Sequence, residues 1–271
     1  MFKPSKHTNF LKRGLPLKGK SPFAHKETRM SKKRNKNRQQ QRVEYPQQQP
    51  TFTLREIRPL TVNQSVAFNS YKEGFNFVLH GYAGTGKTFI STYLGLNEIC
   101  SGQSPYEKLI FIRSVVPCRD MGFLPGSEKE KSRVYEEPYR EICADLFDTK
   151  NAYDILKMQN LVDFTTTSFL RGMTFNNCIL LFDEVENFTF QELDTVITRV
   201  GKNCRVMVCG DFRQTDLRKS HEKSGILDFM KITNSMRSFQ HIEFEKEDIV
   251  RSSLVREYII KKYELQDQGL I

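Results

Sequence analysis

The stretch HGYAGTGKTF at residues 80–89 follows NFVL at 76–79, a short apolar run that is typical of a β-strand. It places three glycines directly ahead of a lysine and a threonine. Glycines let the backbone take positive φ angles and approach a ligand without a Cβ clash. The turning N–H groups and the N-terminus of a following helix then form a concave site for an anion.

The spacing of these residues is that of a phosphate-binding loop, GxxxxGK[ST]. We predict that Lys87 reaches the β- and γ-phosphates of a nucleoside triphosphate and that the Thr88 hydroxyl binds Mg²⁺. The residues predicted to contact the nucleotide are Gly81, Tyr82, Ala83, Gly84, Thr85, Gly86, Lys87 and Thr88. The alternative is a Gly-rich turn without a ligand, and it is disfavoured because a strand-like run precedes the motif and a helix-like stretch follows it.

A phosphate loop needs a metal ligand from a neighbouring strand, and the apolar run CILLF at 178–182 ends in Asp183 and Glu184. Asp183 is predicted to hold Mg²⁺ through water. Glu184 is predicted to face the other way and to orient and deprotonate an attacking water. The alternative is an acidic pair that only faces solvent, which the phosphate loop upstream makes less favoured.

A third apolar run, in RVMVCGDFRQTDL at 205–217, ends in Gly210 and Asp211. Ligands bind beyond the carboxyl ends of parallel strands. Gln214, in the loop that follows, is therefore predicted to lie near the γ-phosphate and to sense hydrolysis. The alternative is that Gln214 is an ordinary loop residue.

The apolar pattern after residue 50 predicts an α/β domain. Short runs rich in Val, Ile and Phe predict strands at 76–80, 108–114, 161–166, 177–183, 205–210 and 239–244. Helix-like stretches occupy 87–99, 135–147, 189–200, 222–230 and 248–263. Such alternation predicts a mainly parallel sheet that is flanked by helices and buried on both faces.

Charge divides the chain of 271 residues at about residue 50. Residues 1–50 hold 14 Lys and Arg against 2 acidic residues; of the 42 basic and 32 acidic residues in the chain, this leaves 28 and 30 for 51–271. We expect 1–50 to be a disordered basic tail and 51–271 to be the folded domain. The tail is predicted to contact nucleic acid through phosphates, with a targeting or solubility role as the alternative.

The six cysteines form no CxxC pair, so neither a metal centre nor a disulfide framework is expected. The chain has no signal-peptide pattern and no long apolar run, which disfavours secretion and a membrane span. We expect a cytoplasmic protein.

The motifs and their order resemble the PhoH family of ATPases, single-domain relatives of superfamily-1 helicases with a RecA-like core. The resemblance covers about 51–263 and implies a RecA-like P-loop NTPase fold with ATP as the nucleotide. It rests on PLTVNQ (59–64), GYAGTGKT (81–88), FIRSVVPCRDMGFLPG (111–126), EEPYREICADLF (136–147), TTSFLRGMTF (166–175), ILLFDEVEN (179–187), GDFRQTDL (210–217), SGILDF (224–229) and EDIVRSSLV (247–255). The form of the third motif resembles that in large tailed phages, which implies a phage origin and, in that case, a location in the host cytoplasm.

The resemblance implies roles for further residues. Gln64 matches a glutamine that reads adenine, Arg113 lies in a helicase-like motif, and Arg251 matches an arginine that behaves like an arginine finger. Two positions depart from the family pattern. Glu186 stands where the family more often has a glutamine, which weighs against coupling to nucleic acid but not against hydrolysis. Arg213 stands where relatives tend to have a smaller residue, and nothing in the sequence explains it.

The resemblance also implies an oligomer. A superfamily-1 motor splits ATP between two RecA-like domains, and the second supplies the charge-stabilising arginine. Only 87 residues follow Glu184, too few for another such domain. We therefore expect Arg251 to act from a neighbouring subunit in a ring, for which the family suggests a hexamer. The alternative for Arg251 is an exposed charge near a helix N-terminus.

Two functions remain open from the sequence. The first is a Mg²⁺-dependent ATPase that couples hydrolysis to RNA or single-stranded nucleic acid and has possible RNA helicase activity. The second is an ATP-gated assembly or binding protein that unwinds nothing. A small-molecule kinase is disfavoured because Glu184 follows Asp183 and because no lid or acceptor pocket is recognisable.

Overall fold

The structure is a computed structural model that describes residues 53–114, 128–170, 172–211 and 220–271, without the side chains of 128–132 and 220–226. The predicted basic tail and Gln214 lie outside the described residues. The division of the chain at residue 50 therefore stays a prediction.

Six strands form one parallel sheet in the order β3-β2-β4-β5-β1-β6. The strands are β1 (Asn76–Gly81), β2 (Lys108–Arg113), β3 (Val162–Thr166), β4 (Cys178–Phe182), β5 (Cys204–Cys209) and β6 (Phe239–Phe244). Each lies within one residue of its predicted bounds at both ends. The reason is that a parallel strand buried on both faces appears in the sequence as a continuous apolar run.

Seven helices are present in the described residues. They are α1 (Val62–Lys72), α2 (Lys87–Cys100), α3 (Glu128–Phe147), α4 (Ala152–Met158), α5 (Phe190–Ile197), α6 (Ser220–Asn234) and α7 (Ser253–Asp267). Five were predicted, although α3 begins earlier and α7 begins later than expected. The later start of α7 has a local cause: Lys246–Asp248 form a separate 3-10 turn, and Ile249 after it is extended.

The alternation of side chains along the strands buries both faces of the sheet. Phe77 and Leu79 of β1 belong to a core shared with α1, α2, α3 and α4. Val78, between them, belongs to a second core that includes residues of α5 and α6. The predicted α/β class, a parallel sheet flanked by helices, is confirmed.

The strand order changes one expectation about the site. The acidic strand was expected to neighbour the strand of the phosphate loop, but β5 pairs with both β1 and β4 and lies between them. All three strands are parallel, so their carboxyl ends meet at one edge of the sheet. Among the described helices, none is long and apolar enough to cross a membrane.

Candidate phosphate-binding and catalytic site

The predicted phosphate loop connects the end of β1 to the start of α2. Gly81 has a φ of 108°, and the N–H of Tyr82 donates to the Phe244 carbonyl of β6 at 3.0 Å. A Cβ at Gly81 would lie 2.1 Å from that carbonyl oxygen. Glycine is therefore required here both by the left-handed backbone and by the close approach of β6.

The loop ends at the N-terminus of α2, where Gly86 is the N-cap with a φ of 84°. Gly86 has no side chain to make a capping bond, and the first turn of α2 contains no acidic residue. The N–H groups of the first turn of a helix have no partner within the helix. The positive end of the helix dipole adds to them, so this turn favours a phosphate.

Lys87 lies inside the curve of the loop. Its Nζ donates to the carbonyls of Gly81 at 3.0 Å and Tyr82 at 2.6 Å, and to the Thr85 hydroxyl at 3.4 Å. Burial lowers the pKa of Lys87, and Asp211 nearby opposes this most strongly. The ammonium is thus held against the phosphate loop by the loop's own oxygens.

Thr88 and Asp183 meet across 95 positions of sequence. The Thr88 Oγ1 donates to the Asp183 Oδ1 at 2.6 Å, and the Tyr139 hydroxyl donates to the Oδ2 at 3.0 Å. Asp183 is buried, and burial raises the pKa of its carboxyl, against which the bonds from Thr88 and Tyr139 and the charge of Arg113 act. The predicted pair of metal-binding oxygens is therefore assembled at the end of the loop.

The donor set around Thr88 and Asp183 fits Mg²⁺. The described residues contain no group of three or more His, Cys, Asp or Glu side chains that could hold a metal ion by themselves. Mg²⁺ is usually bound through one or two protein oxygens, with water and substrate phosphates as the other ligands. One hydroxyl and one carboxylate beside a phosphate loop match that pattern.

Glu184 points away from Asp183 and pairs with Arg113. Its backbone is left-handed, with a φ of 52°, and its side chain is 45% exposed. Its Oε2 accepts a bond from the Arg113 guanidinium at the end of β2, and that arginine is 12% exposed. The predicted catalytic base thus lies beside the predicted metal ligand, and the largely buried Arg113 binds its carboxylate.

The end of β5 adds residues that the sequence analysis did not assign. Asp211 is buried, its N–H donates to the Glu186 Oε2 at 2.9 Å, and its carboxylate accepts a bond from the Tyr263 hydroxyl. The Tyr263 ring lies 4.4 Å from the ring of Tyr82 in the loop. Asp211 follows an apolar run just as Asp183 does, and this position could have marked it. No local signal marked Tyr139 or Tyr263.

Gln64 and Arg251 both lie against the phosphate loop. The Gln64 Nε2 donates to the Thr85 carbonyl at 2.9 Å. The Val250 N–H donates to the Gly84 carbonyl at 3.0 Å, and a Cβ at Gly84 would come within 2.9 Å of the Arg251 Cγ. Arg251 itself is exposed. The structure thus brings Arg251 to the loop of its own chain.

The sequence of residues 56–264 matches the family described as PhoH-like protein. The chain belongs to the PhoH family. This confirms the predicted resemblance, and together with the parallel sheet and its phosphate loop after β1 it supports the predicted RecA-like P-loop fold.

Curated PhoH relatives come from several bacteria. The PhoH-like proteins of Mycobacterium leprae and Bacillus subtilis are each 28% identical, over 79% and 69% of this chain. Protein PhoH of Escherichia coli is 31% identical over 64% of this chain. The chain spans only 61%, 57% and 49% of the lengths of these three relatives.

Solved structures with a partial likeness include the Hef helicase domain of Pyrococcus furiosus, at 9% identity and a TM-score of 0.41, over 69% of this chain and 39% of that chain. The large terminase of a thermophilic bacteriophage, in complex with ADP, has 12% identity and a TM-score of 0.41, over 74% of this chain and 49% of that chain. The family assignment comes from the sequence match and not from these likenesses.

Proposed function

We propose that this PhoH-family chain binds ATP with Mg²⁺ and hydrolyses it. The observation that carries the proposal is the bond of 2.6 Å between the Thr88 Oγ1 and the Asp183 Oδ1. It joins a loop built for phosphates to a buried carboxylate on another strand, and P-loop NTPases hold their metal ion with this pair of groups.

Each residue of the site has a role in this proposal. The loop amides and the Lys87 ammonium hold the β- and γ-phosphates, while Thr88 and Asp183 hold Mg²⁺, which neutralises charge that develops on the phosphates. Glu184 accepts a proton from the attacking water. Arg113, paired with Glu184, orients that carboxylate. Gln214 is proposed to sense the γ-phosphate.

Two substitutions test the proposal. Lys87→Ala is expected to abolish ATP binding, because the phosphates lose the ammonium that faces them. Glu184→Gln is expected to retain ATP binding and to lower turnover by about 10²-fold or more, since the amide cannot accept the proton. Binding is measured by calorimetry and turnover in a single-turnover assay. Wild-type protein that binds no purine triphosphate, or Glu184→Gln that hydrolyses ATP at the wild-type rate, would contradict the proposal.

Coupling of hydrolysis to RNA or single-stranded nucleic acid is a further part of the proposal. Its support is the motif order shared with helicases and the basic tail at residues 1–50, with 14 Lys and Arg against 2 acidic residues. A tail of this charge binds phosphates with release of counterions, so affinity should fall as salt rises.

An ATP-gated assembly protein is the second candidate, and the surface of α7 favours it. Leu254 is 75% exposed and Tyr258 is 68% exposed. They follow Val250 and Arg251, which contact the phosphate loop, so a change in the loop would reach this apolar surface. The proposed assembly is a homo-oligomeric ring, with a hexamer suggested by the family resemblance.

One experiment separates the two candidates: the ATPase rate and the oligomeric state are measured together, with and without RNA, for the full chain and for a chain that lacks residues 1–50. Coupling to nucleic acid predicts that RNA raises the rate and that the shortened chain responds less. The assembly function predicts a rate indifferent to RNA and an oligomer that forms only with nucleotide.

A further inference from the structure

Gln64 is a buried residue of α1, and each end of its side-chain amide makes one bond to backbone. It is 3% exposed. Its Oε1 accepts the N–H of Leu60 at 2.8 Å, and its Nε2 donates to the carbonyl of Thr85 at 2.9 Å. The amide therefore joins the segment before α1 to the middle of the phosphate loop.

The orientation of this amide is determined by its partners. A donor, the Leu60 N–H, faces the oxygen, and an acceptor, the Thr85 carbonyl, faces the nitrogen. In the opposite orientation the amide nitrogen would face the Leu60 N–H, and the amide oxygen would face the Thr85 carbonyl. Neither contact is a hydrogen bond, so buried polar groups would be left without partners. With so little of the side chain exposed, almost none of its surface remains for a base.

The peptide that Gln64 holds controls the shape of the loop. Thr85 is 1% exposed, its hydroxyl donates to the Tyr82 carbonyl at 3.0 Å, and it lies 3.4 Å from the Lys87 Nζ. Gly86, the N-cap of α2, follows directly, and a Cβ there would lie 3.4 Å from the Gln64 Nε2. A change at Gln64 thus displaces the turn that presents the ammonium and the helix N-terminus to phosphate.

A cavity of about 770 Å³ lies beside the loop, and Gln64 itself lines it together with Ile57, Phe89 and Val250. Such apolar walls accept a flat ring without selecting among purines by hydrogen bonds. The cavity is also lined by the exposed Arg55, Glu56 and Arg58. These exposed side chains can select a base by hydrogen bonds, whereas both ends of the Gln64 amide are already bonded to backbone.

We propose that Gln64 is a positioning residue that holds the phosphate loop in its binding conformation and does not select the base. This inference rests on the proposed ATP binding. It differs from the adenine-reading role that the family resemblance implies. The consequence is that Gln64 contributes equally to the binding of every ligand that carries the polyphosphate, whatever its base.

The test compares three ligands in the full-length protein: Mg·ATP, Mg·GTP and inorganic tripolyphosphate with Mg²⁺, which has no base. Gln64→Ala is expected to weaken all three by the same factor, about tenfold or more, because the Thr85 carbonyl loses its donor. Gln64→Glu, which keeps the length of the side chain but loses the donor, is expected to do the same. The exposed Asn69→Ala on the same helix is the control and should change none of the three affinities.

The opposite pattern overturns the inference: a selective loss of ATP affinity, with tripolyphosphate bound as in the wild type. A measurement on the wild-type protein decides the same question independently of whether the variants fold. The through-hydrogen-bond coupling between the Gln64 Nε2 and the Thr85 carbonyl carbon should persist in both the ATP and the tripolyphosphate complex, and its loss in the ATP complex contradicts the proposal. If the wild-type protein binds neither ATP nor tripolyphosphate, the proposed function fails. If it binds both but Gln64→Ala loses only ATP, the inference about Gln64 fails and the proposed function stands.

Discussion

Three carboxylates in the sequence DEVEN have three different environments. Asp183 is buried and accepts bonds from Thr88 and Tyr139. Glu184 is partly exposed and pairs with Arg113. The Glu186 side chain reaches the end of β5, where its Oε2 accepts the N–H of Asp211. The proposed roles follow from these surroundings: an ion ligand, a base and a structural bond acceptor.

Glu186 is the position where the family more often has a glutamine, and its environment makes the replacement testable. Burial raises the pKa of Glu186 from 4.5 to about 7, against the bonds from backbone N–H groups. A carboxyl whose pKa is higher in the folded than in the unfolded state stabilises the fold less as pH rises. The contribution of Glu186 to the free energy of unfolding therefore begins to fall near pH 4.5, its pKa in the unfolded chain, and the fall is complete above pH 7.

We predict that Glu186→Gln raises the free energy of unfolding by about 1–3 kcal/mol at pH 8 and by less at pH 5. The amide oxygen still accepts the Asp211 N–H, while the cost of a buried charge is removed. Urea unfolding at both pH values measures the effect. The exposed Glu257→Gln on α7 is the control, and an equal gain at pH 5 and pH 8 would contradict the prediction.

At the scale of elements, α7 contacts the site through Tyr263 and through Ile259, whose Cδ1 would lie 3.3 Å from a Cβ at Gly84. Tyr263 is 1% exposed, donates to the Asp211 carboxylate and packs against Tyr82, while most of this fully described helix is exposed. The same segment also reaches the loop through Val250. The position of α7 thus depends on the ends of β1 and β5.

We predict that Tyr263→Ala destabilises the protein by about 3–5 kcal/mol and exposes the backbone of α7 to hydrogen exchange. Tyr263→Phe keeps the ring contact and removes only the bond to Asp211, so a smaller cost of about 1–3 kcal/mol is expected. Urea unfolding and hydrogen exchange of residues 253–267 measure the two effects. Tyr258→Ala, on the exposed side of the same helix, should change stability by less than about 0.5 kcal/mol.

At the scale of the whole molecule, the position of Arg251 bears on the proposed ring. The family resemblance predicts that this arginine acts from a neighbouring subunit. In the structure its Cγ lies against Gly84 of its own loop. This supports action within one chain, and the ring then depends on other surfaces, such as the exposed face of α7.

Mixing two variants decides between the two arrangements, provided that Arg251→Ala alone lowers the ATPase rate, as the arginine-finger role predicts. We predict that Lys87→Ala and Arg251→Ala, mixed under conditions where the chains exchange, show no more ATPase activity than the two variants alone. In such a mixture an intact loop and an intact Arg251 occur together only on different chains. Recovery of activity in the mixture would show that the arginine acts from a neighbour, and light scattering records whether the chains associate.

Much of the fold could be predicted because its determinants are local. The sequence of each of the six strands, and of five of the helices, contains an apolar pattern that is recognisable without the rest of the chain. The helices α1 and α4 were missed, since VNQSVAFNSYK has no strong apolar period and AYDILKM has only seven residues. The helix α1 is stabilised instead by the Thr61 cap, which accepts the N–H of Gln64, and by packing of its buried Ala67 and Phe68.

The sequence by itself determined the chemical groups of this protein: a glycine loop with a lysine and a threonine, and acids at the ends of two apolar strands. Only the tertiary structure decided which of these groups meet. Three features join residues that are far apart in the chain. They are the position of β5 between β1 and β4, the Thr88–Asp183 bond, and the contacts of Gln64, Val250 and Tyr263 with the phosphate loop. The physical reason is that backbone conformation and apolar period are set by neighbours in sequence, whereas these bonds depend on how the parallel strands are ordered and packed.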